Sequence, residues 1–157
     1  MRATILFAFI FLNGLVQESF SQTQLTHIEQ TRHLSHESTI LNAGFVCVDG
    51  VYNSELMAPY DVLQHTIYRD STNYVRCFIV TPDGKPFVTF EGIGLMPDYS
   101  FANVPPIDIL IIPSTATSMT ADLENAQFMN WLKQAVESAS YVITVCDGAF
   151  PLAATGE

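Results

Sequence analysis

A mostly parallel α/β sheet with helices on both faces is the fold class this sequence predicts, and three observations predict it. Short, strongly apolar runs recur at residues 43–48, 107–112 and 141–145, the pattern of strands buried on both faces. Helical spacing of apolar residues fills the intervals, over residues 55–65 and from Thr120 or Asp122 through Val136. The runs end in polar or glycine-containing loops, where crossovers of such a sheet begin.

The first strand, AGFVCV (43–48), stops at Asp49-Gly50. Asn53 or Ser54 can cap the helix that follows, and Glu55 stands in its first turn, where a carboxylate meets the positive end of the helix dipole. Leu56, Met57, Tyr60, Leu63 and Ile67 then follow at helical spacing. YVRCFIVT (74–81) is the second strand, and the turn Pro82-Asp83-Gly84-Lys85 is expected to fold it into a hairpin with residues 87–90. Residues 92–97 read as short and extended. Pro105-Pro106 precedes IDILII (107–112), the most hydrophobic strand, whose carboxyl end opens into a polar loop at 113–118. The second long helix carries Phe128, Trp131, Leu132, Ala135 and Val136. A further fully apolar strand, YVITV (141–145), runs directly into Cys146-Asp147-Gly148-Ala149.

Length and composition limit the function classes. The chain has 157 residues, 48% apolar and 14% charged, which fits one globular domain and excludes collagen-like, low-complexity or highly charged disordered chains. Sixteen acidic against six Lys and Arg residues give a formal net charge of −10, which argues against a nucleic-acid partner, because phosphate binding needs clustered cations.

Met1-Arg2, an apolar run at residues 3–12 and Ser19-Phe20-Ser21 form a secretory signal pattern with cleavage expected after Ser21. The apolar run is shorter than the ~20 residues a spanning helix needs, so no stable membrane span is expected after cleavage. Removal of residues 1–21 takes away Arg2 and Glu18, one charge of each sign, and leaves the acidity in the domain. Residues 22–39 read as a polar tether. It carries His27, His33 and His36, for which no Cys, Asp or helical spacing completes a metal-ligand set, and no metal is expected. The domain is expected to occupy residues 40–157.

In sheets of this class ligands sit at the carboxyl ends of strands, here the loops 49–55, 113–118 and 146–148. Cys146 occupies a tight strand-to-helix turn before Gly148, Ala149 and Phe150, a setting that holds a thiol outside the core beside backbone N–H groups and a helix N-terminus. That is the placement of a nucleophilic or redox-active thiolate.

The segments AGFVCVDGVYNSELMAPYDVL (43–63), PDYSFANVPPIDILIIPS (97–114) and YVITVCDGAFPLAATG (141–156) together resemble the ThiJ/PfpI family of the class I glutamine amidotransferase-like superfamily. The resemblance covers residue 40 to the end in matching order. It implies a flavodoxin-like sandwich with Cys146 as the elbow nucleophile, and an acidic residue four places before the proline of the first helix reaching toward the thiol; Glu55 before Pro59 fits. A carboxyl group and a thiolate packed together cannot comfortably both be charged, so one proton is expected to stay between Glu55 and Cys146.

Two departures matter. The loop after IDILIIP is usually Gly-Gly in the family and here is Ser114-Thr115, so backbone donation to a substrate oxygen falls more securely to the amide of Asp147. Asp147 also sets a negative charge beside the nucleophile and favours a modest thiolate. The family continues past the elbow to a further strand and a downstream histidine. This chain stops at Gly156-Glu157, so it is expected to be a fragment; His65 lies away from the strand ends. Cys47 and Cys77 are expected as two buried thiols in neighbouring strands rather than a disulfide.

The resulting expectation is an exported, periplasmic or extracellular domain that uses Cys146 and Glu55 on a small carbonyl, nitrile-like or amide substrate, with Ser114, Thr115 and Asp147 around the reacting oxygen and no cofactor. The alternative is a non-catalytic module of the same fold that senses ligands or oxidants through Cys146. Family members are often homodimers, but no residue pattern here marks an interface.

Overall fold

The computed structural model describes residues 39–157. The expected leader and, apart from Thr39, the tether lie outside the described residues, as do His27, His33 and His36. Among the described residues no helix is long and apolar enough to cross a membrane.

Among the described residues seven strands and four α-helices follow one another as β1 (Ile40–Val46), α1 (Asn53–Gln64), β2 (Tyr74–Thr81), β3 (Phe87–Val88), β4 (Gly94–Leu95), β5 (Tyr99–Ser100), β6 (Ile109–Ile112), α2 (Ala121–Glu124), α3 (Ala126–Ser138), β7 (Tyr141–Thr144) and α4 (Ala149–Thr155). Five of the strands make a parallel sheet in the order β5-β2-β1-β6-β7, with Ala43 of β1 aligned to Cys77 of β2 and to Ile109 of β6. The order reverses direction at β1, which puts the topological switch point between the carboxyl ends of β1 and β6.

Alternation along the strands divides the core into two layers. Ala43, Phe45, Cys77, Ile79, Ile109 and Ile111 face α1, which contributes Leu56, Met57, Tyr60 and Leu63. Val46, Phe78, Val80, Leu110 and Ile112 face α3, which contributes Phe128, Leu132 and Ala135. Carboxylates serve as acceptors for backbone N–H groups of the strands: Asp108 Oδ2 takes the N–H of Asn42 at 2.8 Å and Asp98 Oδ2 that of Ile79 at 2.8 Å.

Several local features differ from the sequence reading, each for a physical reason. β2 does not form a hairpin with residues 87–90, because both its edges are already paired in parallel with β1 and β5. The turn at Gly84 (φ +74) forms, yet it leads the chain off the sheet, and β3 pairs instead with β4 as a separate antiparallel ribbon. The second long helix is divided: α2 ends at Glu124, and Asn125 caps α3 by accepting the N–H of Phe128. Neither Asn53 nor Ser54 caps α1 through its own side chain; the carboxylate of Glu91, on the ribbon, accepts the N–H of Asn53 at 3.0 Å, and that bond holds Glu91 below the usual carboxylate range. β7 ends the sheet order and is half exposed through Tyr141 and Ile143.

Cys47 and Cys77 are buried free thiols, as expected. The register puts Cys77 opposite Ala43, four residues and about 13 Å of strand from Cys47, too far for a disulfide. Burial pushes Cys77 up to about 12 and Cys47 in the same direction.

Leu110→Ala, at a fully buried position of this core, should cost about 2–5 kcal/mol in urea unfolding, whereas Val62→Ala on the exposed face of α1 should stay within about 0.5 kcal/mol. Stability should also fall as pH rises above the ordinary thiol value of 9.0, since unfolded Cys47 and Cys77 then ionise while the folded thiols keep their protons. Urea midpoints at pH 8 and 10.5 test this, and equal midpoints would contradict it.

Candidate active site at the strand ends

The loops that leave β1 and β6 meet across the switch point. Val51 and Thr115 form an isolated antiparallel bridge, Tyr52 N donates to Ser114 O at 3.0 Å, and Ala116 N donates to Gly50 O at 2.9 Å. This clasp fixes the start of α1, and with it Glu55, over the end of β6. Glu55 Oε2 accepts the N–H of Ser114 at 3.0 Å.

Cys146 enters from the next strand. Val145 N donates to Ile112 O at 3.0 Å, and the chain then turns through a 3-10 segment, Cys146–Gly148, into α4. Cys146 has φ +48, the one left-handed non-glycine residue among the described residues, and its side chain is exposed. A β-carbon costs about 1–2 kcal/mol in that conformation, so the surrounding contacts must hold it. One of them is the approach of Gly148 to β6: a Cβ at residue 148 would stand 2.0 Å from Ile112 O. Only glycine allows the elbow to lie this close.

Ser114 sits between the two loops. It is fully buried; its hydroxyl donates to Val145 O at 3.0 Å and accepts the N–H of Asp147 at 2.8 Å. Glu55, Ser114 and the elbow are therefore one connected set. The Cys146 thiol itself meets Asp147 Oδ1 at 3.8 Å.

The amides named from the sequence as donors to a substrate oxygen are all engaged within the protein. Asp147 N–H points to the Ser114 hydroxyl, Ser114 N–H to Glu55, and Thr115 N–H to Ser118 Oγ at 2.7 Å. A substrate oxygen has to compete with those acceptors. Thr115 belongs to a network the sequence reading missed: its hydroxyl and that of Thr117 both donate to the carboxylate of Asp122, the latter at 2.8 Å. The dense run of hydroxyls from Ser114 to Ser118, followed by an acid four residues on, was the available signal. Thr117 and Asp122 also line a groove of about 610 Å³ with Asp49, Thr81, Asp83 and Lys85; neither Glu55 nor Cys146 lines it. Among the described residues no group of His, Cys, Asp and Glu is placed to hold a metal ion.

A parallel sheet whose switch-point loop supports a left-handed cysteine on a strand-to-helix elbow defines a flavodoxin-like α/β domain. The chain belongs to the DJ-1/PfpI family, whose model matches residues 42–157. It is 29% identical over 116 residues to an isonitrile hydratase from Pseudomonas putida, covering 74% of this chain and 48% of that protein. The chain thus spans about half the length of the curated relative it matches. Among solved structures it is similar to a ThiJ/PfpI family protein from Pseudomonas syringae (TM-score 0.63, 19% identity, 79% of this chain and 49% of that one). It is also similar to DJ-1beta of Drosophila melanogaster (TM-score 0.62, 17% identity, 75% and 61%).

Gly148→Ala should displace the elbow, lower the unfolding midpoint and change the alkylation rate of Cys146. In the native wild type one thiol, Cys146, should react with iodoacetamide at pH 8, and all three should react in denaturant. Mass spectrometry counts the adducts, and two or more on the native protein would contradict the burial of Cys47 and Cys77.

Proposed function

We propose that this domain performs cysteine-dependent chemistry on a small, neutral carbonyl, nitrile-like or amide substrate, of the hydratase, lyase or amidase kind. The observation that carries the reading is the exposed thiol of Cys146 on a left-handed elbow linked, through Ser114, to the carboxyl group of Glu55. Family membership and the similarity to an isonitrile hydratase support the class of chemistry.

In the simplest case Sγ adds to the electrophilic carbon, an S–C bond forms, and the π pair of the substrate moves to its oxygen or nitrogen. The thiol proton passes by way of Glu55 to that atom, so the step is a net addition of S–H across the double or triple bond. Glu55, accepting through Oε2, can carry the proton on Oε1. Charge developing on the substrate atom is costly to leave without a donor, and the Asp147 and Ser114 amides are the nearest donors for it.

A second reading, a ligand or oxidant sensor, is favoured by one observation: the amides of Ser114, Thr115 and Asp147 are all satisfied internally while the thiol is exposed. The signal pattern at residues 1–21 supports action outside the cytoplasm under either reading.

The two readings separate on turnover. Wild type, Cys146→Ser and Glu55→Gln are compared on methylglyoxal, an isonitrile and a small amide panel. The enzyme reading expects Cys146→Ser to abolish turnover and Glu55→Gln to lower it about 10²–10⁴-fold, the usual worth of a positioned acid–base group. Equal rates in all three proteins sink it, and a peroxide-dependent mass shift confined to Cys146, without turnover of any substrate, supports the sensor.

A further inference from the structure

We infer that the buried Ser114 hydroxyl is the positioning residue of the elbow: it pins the Asp147 amide so that the Asp147 carboxylate is held against the Cys146 thiol and biases the site toward uncharged reaction partners. The inference deepens the cysteine reading above and rests on Cys146 being the reactive thiol.

Every polar group of Ser114 is committed to the loops that carry Glu55 and Cys146. Its N–H goes to Glu55 Oε2, its carbonyl accepts from Tyr52 N, and its hydroxyl bridges Val145 O and Asp147 N. The residue has no exposed surface, so each of these bonds forms without competition from water. Val145 O has a second donor in Gly148 N at 3.0 Å, whereas the hydroxyl is the acceptor assigned to Asp147 N. Loss of the hydroxyl therefore falls chiefly on Asp147.

The geometry makes that loss consequential. Cys146 and Gly148 are placed by other contacts, the first between Val145, bonded to Ile112 O, and the 3-10 turn, the second by its close approach to Ile112 O. Asp147 lies between them, and its amide bond sets the direction in which its side chain leaves the turn. With that bond in place, Oδ1 stands 3.8 Å from Sγ. A glycine at position 114 would have no hydroxyl to do this. The serine thus couples the acidic residue after Cys146 to a hydroxyl beneath it.

The experiment compares alkylation of Cys146 in the full chain by neutral iodoacetamide and anionic iodoacetate, each displacing iodide to form an S–C bond. Two like unit charges about 4 Å apart in water disfavour each other about fivefold, and the carboxylate of iodoacetate, held beyond the reacting carbon, comes no closer than that to Asp147. Wild type should therefore give an iodoacetamide-to-iodoacetate rate ratio above that of the denatured chain by up to about fivefold. Asp147→Asn should remove the excess, Ser114→Ala should remove most of it, and Ser114→Thr, which keeps the hydroxyl, should restore it. A purely structural role for Ser114 would slow both reagents alike and leave the ratio unchanged, which overturns the inference. Should Ser114→Ala fail to fold, hydrogen exchange in the wild type decides: a protected Asp147 amide supports the clasp, and an amide exchanging at the rate of an open loop overturns it. None of these readouts needs a substrate, so an inert substrate panel would defeat the catalytic reading without touching this one.

Discussion

The contact on which the site depends is the approach of the elbow to the end of β6, where Gly148 passes so close to Ile112 that no side chain fits between. This closeness is what converts a strand-to-helix connection into a strained turn. With Val145 bonded to Ile112 O and Gly148 packed on the same carbonyl, the chain has no room to round the corner with ordinary dihedrals, and Cys146 takes the left-handed conformation. The energy that keeps it there comes from the sheet. β6 is buried along its whole length, so Ile112 cannot yield. Ser114 then ties the turn to the loop that follows β6, and through its N–H to Glu55.

The acidity of the chain has a structural use that composition alone does not reveal. Asp49, Asp98, Asp108, Glu55 and Glu91 each accept a backbone N–H from a distant segment: Val88, Ile79, Asn42, Ser114 and Asn53. Such bonds to an ionised acceptor are stronger than amide–amide ones, and those of Asp108 and Asp98 satisfy N–H groups of β1 and β2 just before their pairing with β6 and β5 begins. Asp70 does the same locally for Thr72 and Asn73, whose side chains and amides hold its carboxyl well below the usual range. Among the described residues the negative charge is thus distributed as joinery between segments rather than gathered into a cation site.

The parts of this architecture that were legible in the sequence are those governed by short-range patterning. AGFVCV, YVRCFIVT and IDILII have the composition of doubly covered strands, and all three became central strands; the helix over residues 55–65 is visible from Leu56, Met57, Tyr60 and Leu63. Cys146 was legible because it stands between an unbroken apolar run and a set of small residues, the local pattern of a strand that turns sharply into a helix. What escaped depends on pairings between distant segments. The turn at residues 82–85 has every mark of a hairpin, but whether β2 has a free edge is decided by β5, a two-residue strand with almost no signal of its own. The Glu91 cap on α1 comes from 38 residues away. Ser114 was read, from the resemblance, as a departure from a Gly-Gly loop whose backbone amides donate; that its hydroxyl points inward follows only from the proximity of the elbow.

That proximity also bears on what can react. The thiol carries Asp147 beside it and sits on a chain with a formal charge of −10. Both the long-range field and the nearest charge oppose an approaching anion, the first screened within about a Debye length and the second acting at contact. Among the described residues no ion pair brings a Lys or Arg to Glu55, Cys146 or Asp147, and the amides of Ser114 and Asp147 are already bonded to Glu55 and to the Ser114 hydroxyl. Under the proposed cysteine chemistry, charge developing on a substrate oxygen is then relieved by protonation rather than borne as an anion. Two carboxyl groups are at hand for that proton: Asp147, whose Oδ1 meets the thiol at 3.8 Å, and Glu55, which joins the elbow through Ser114.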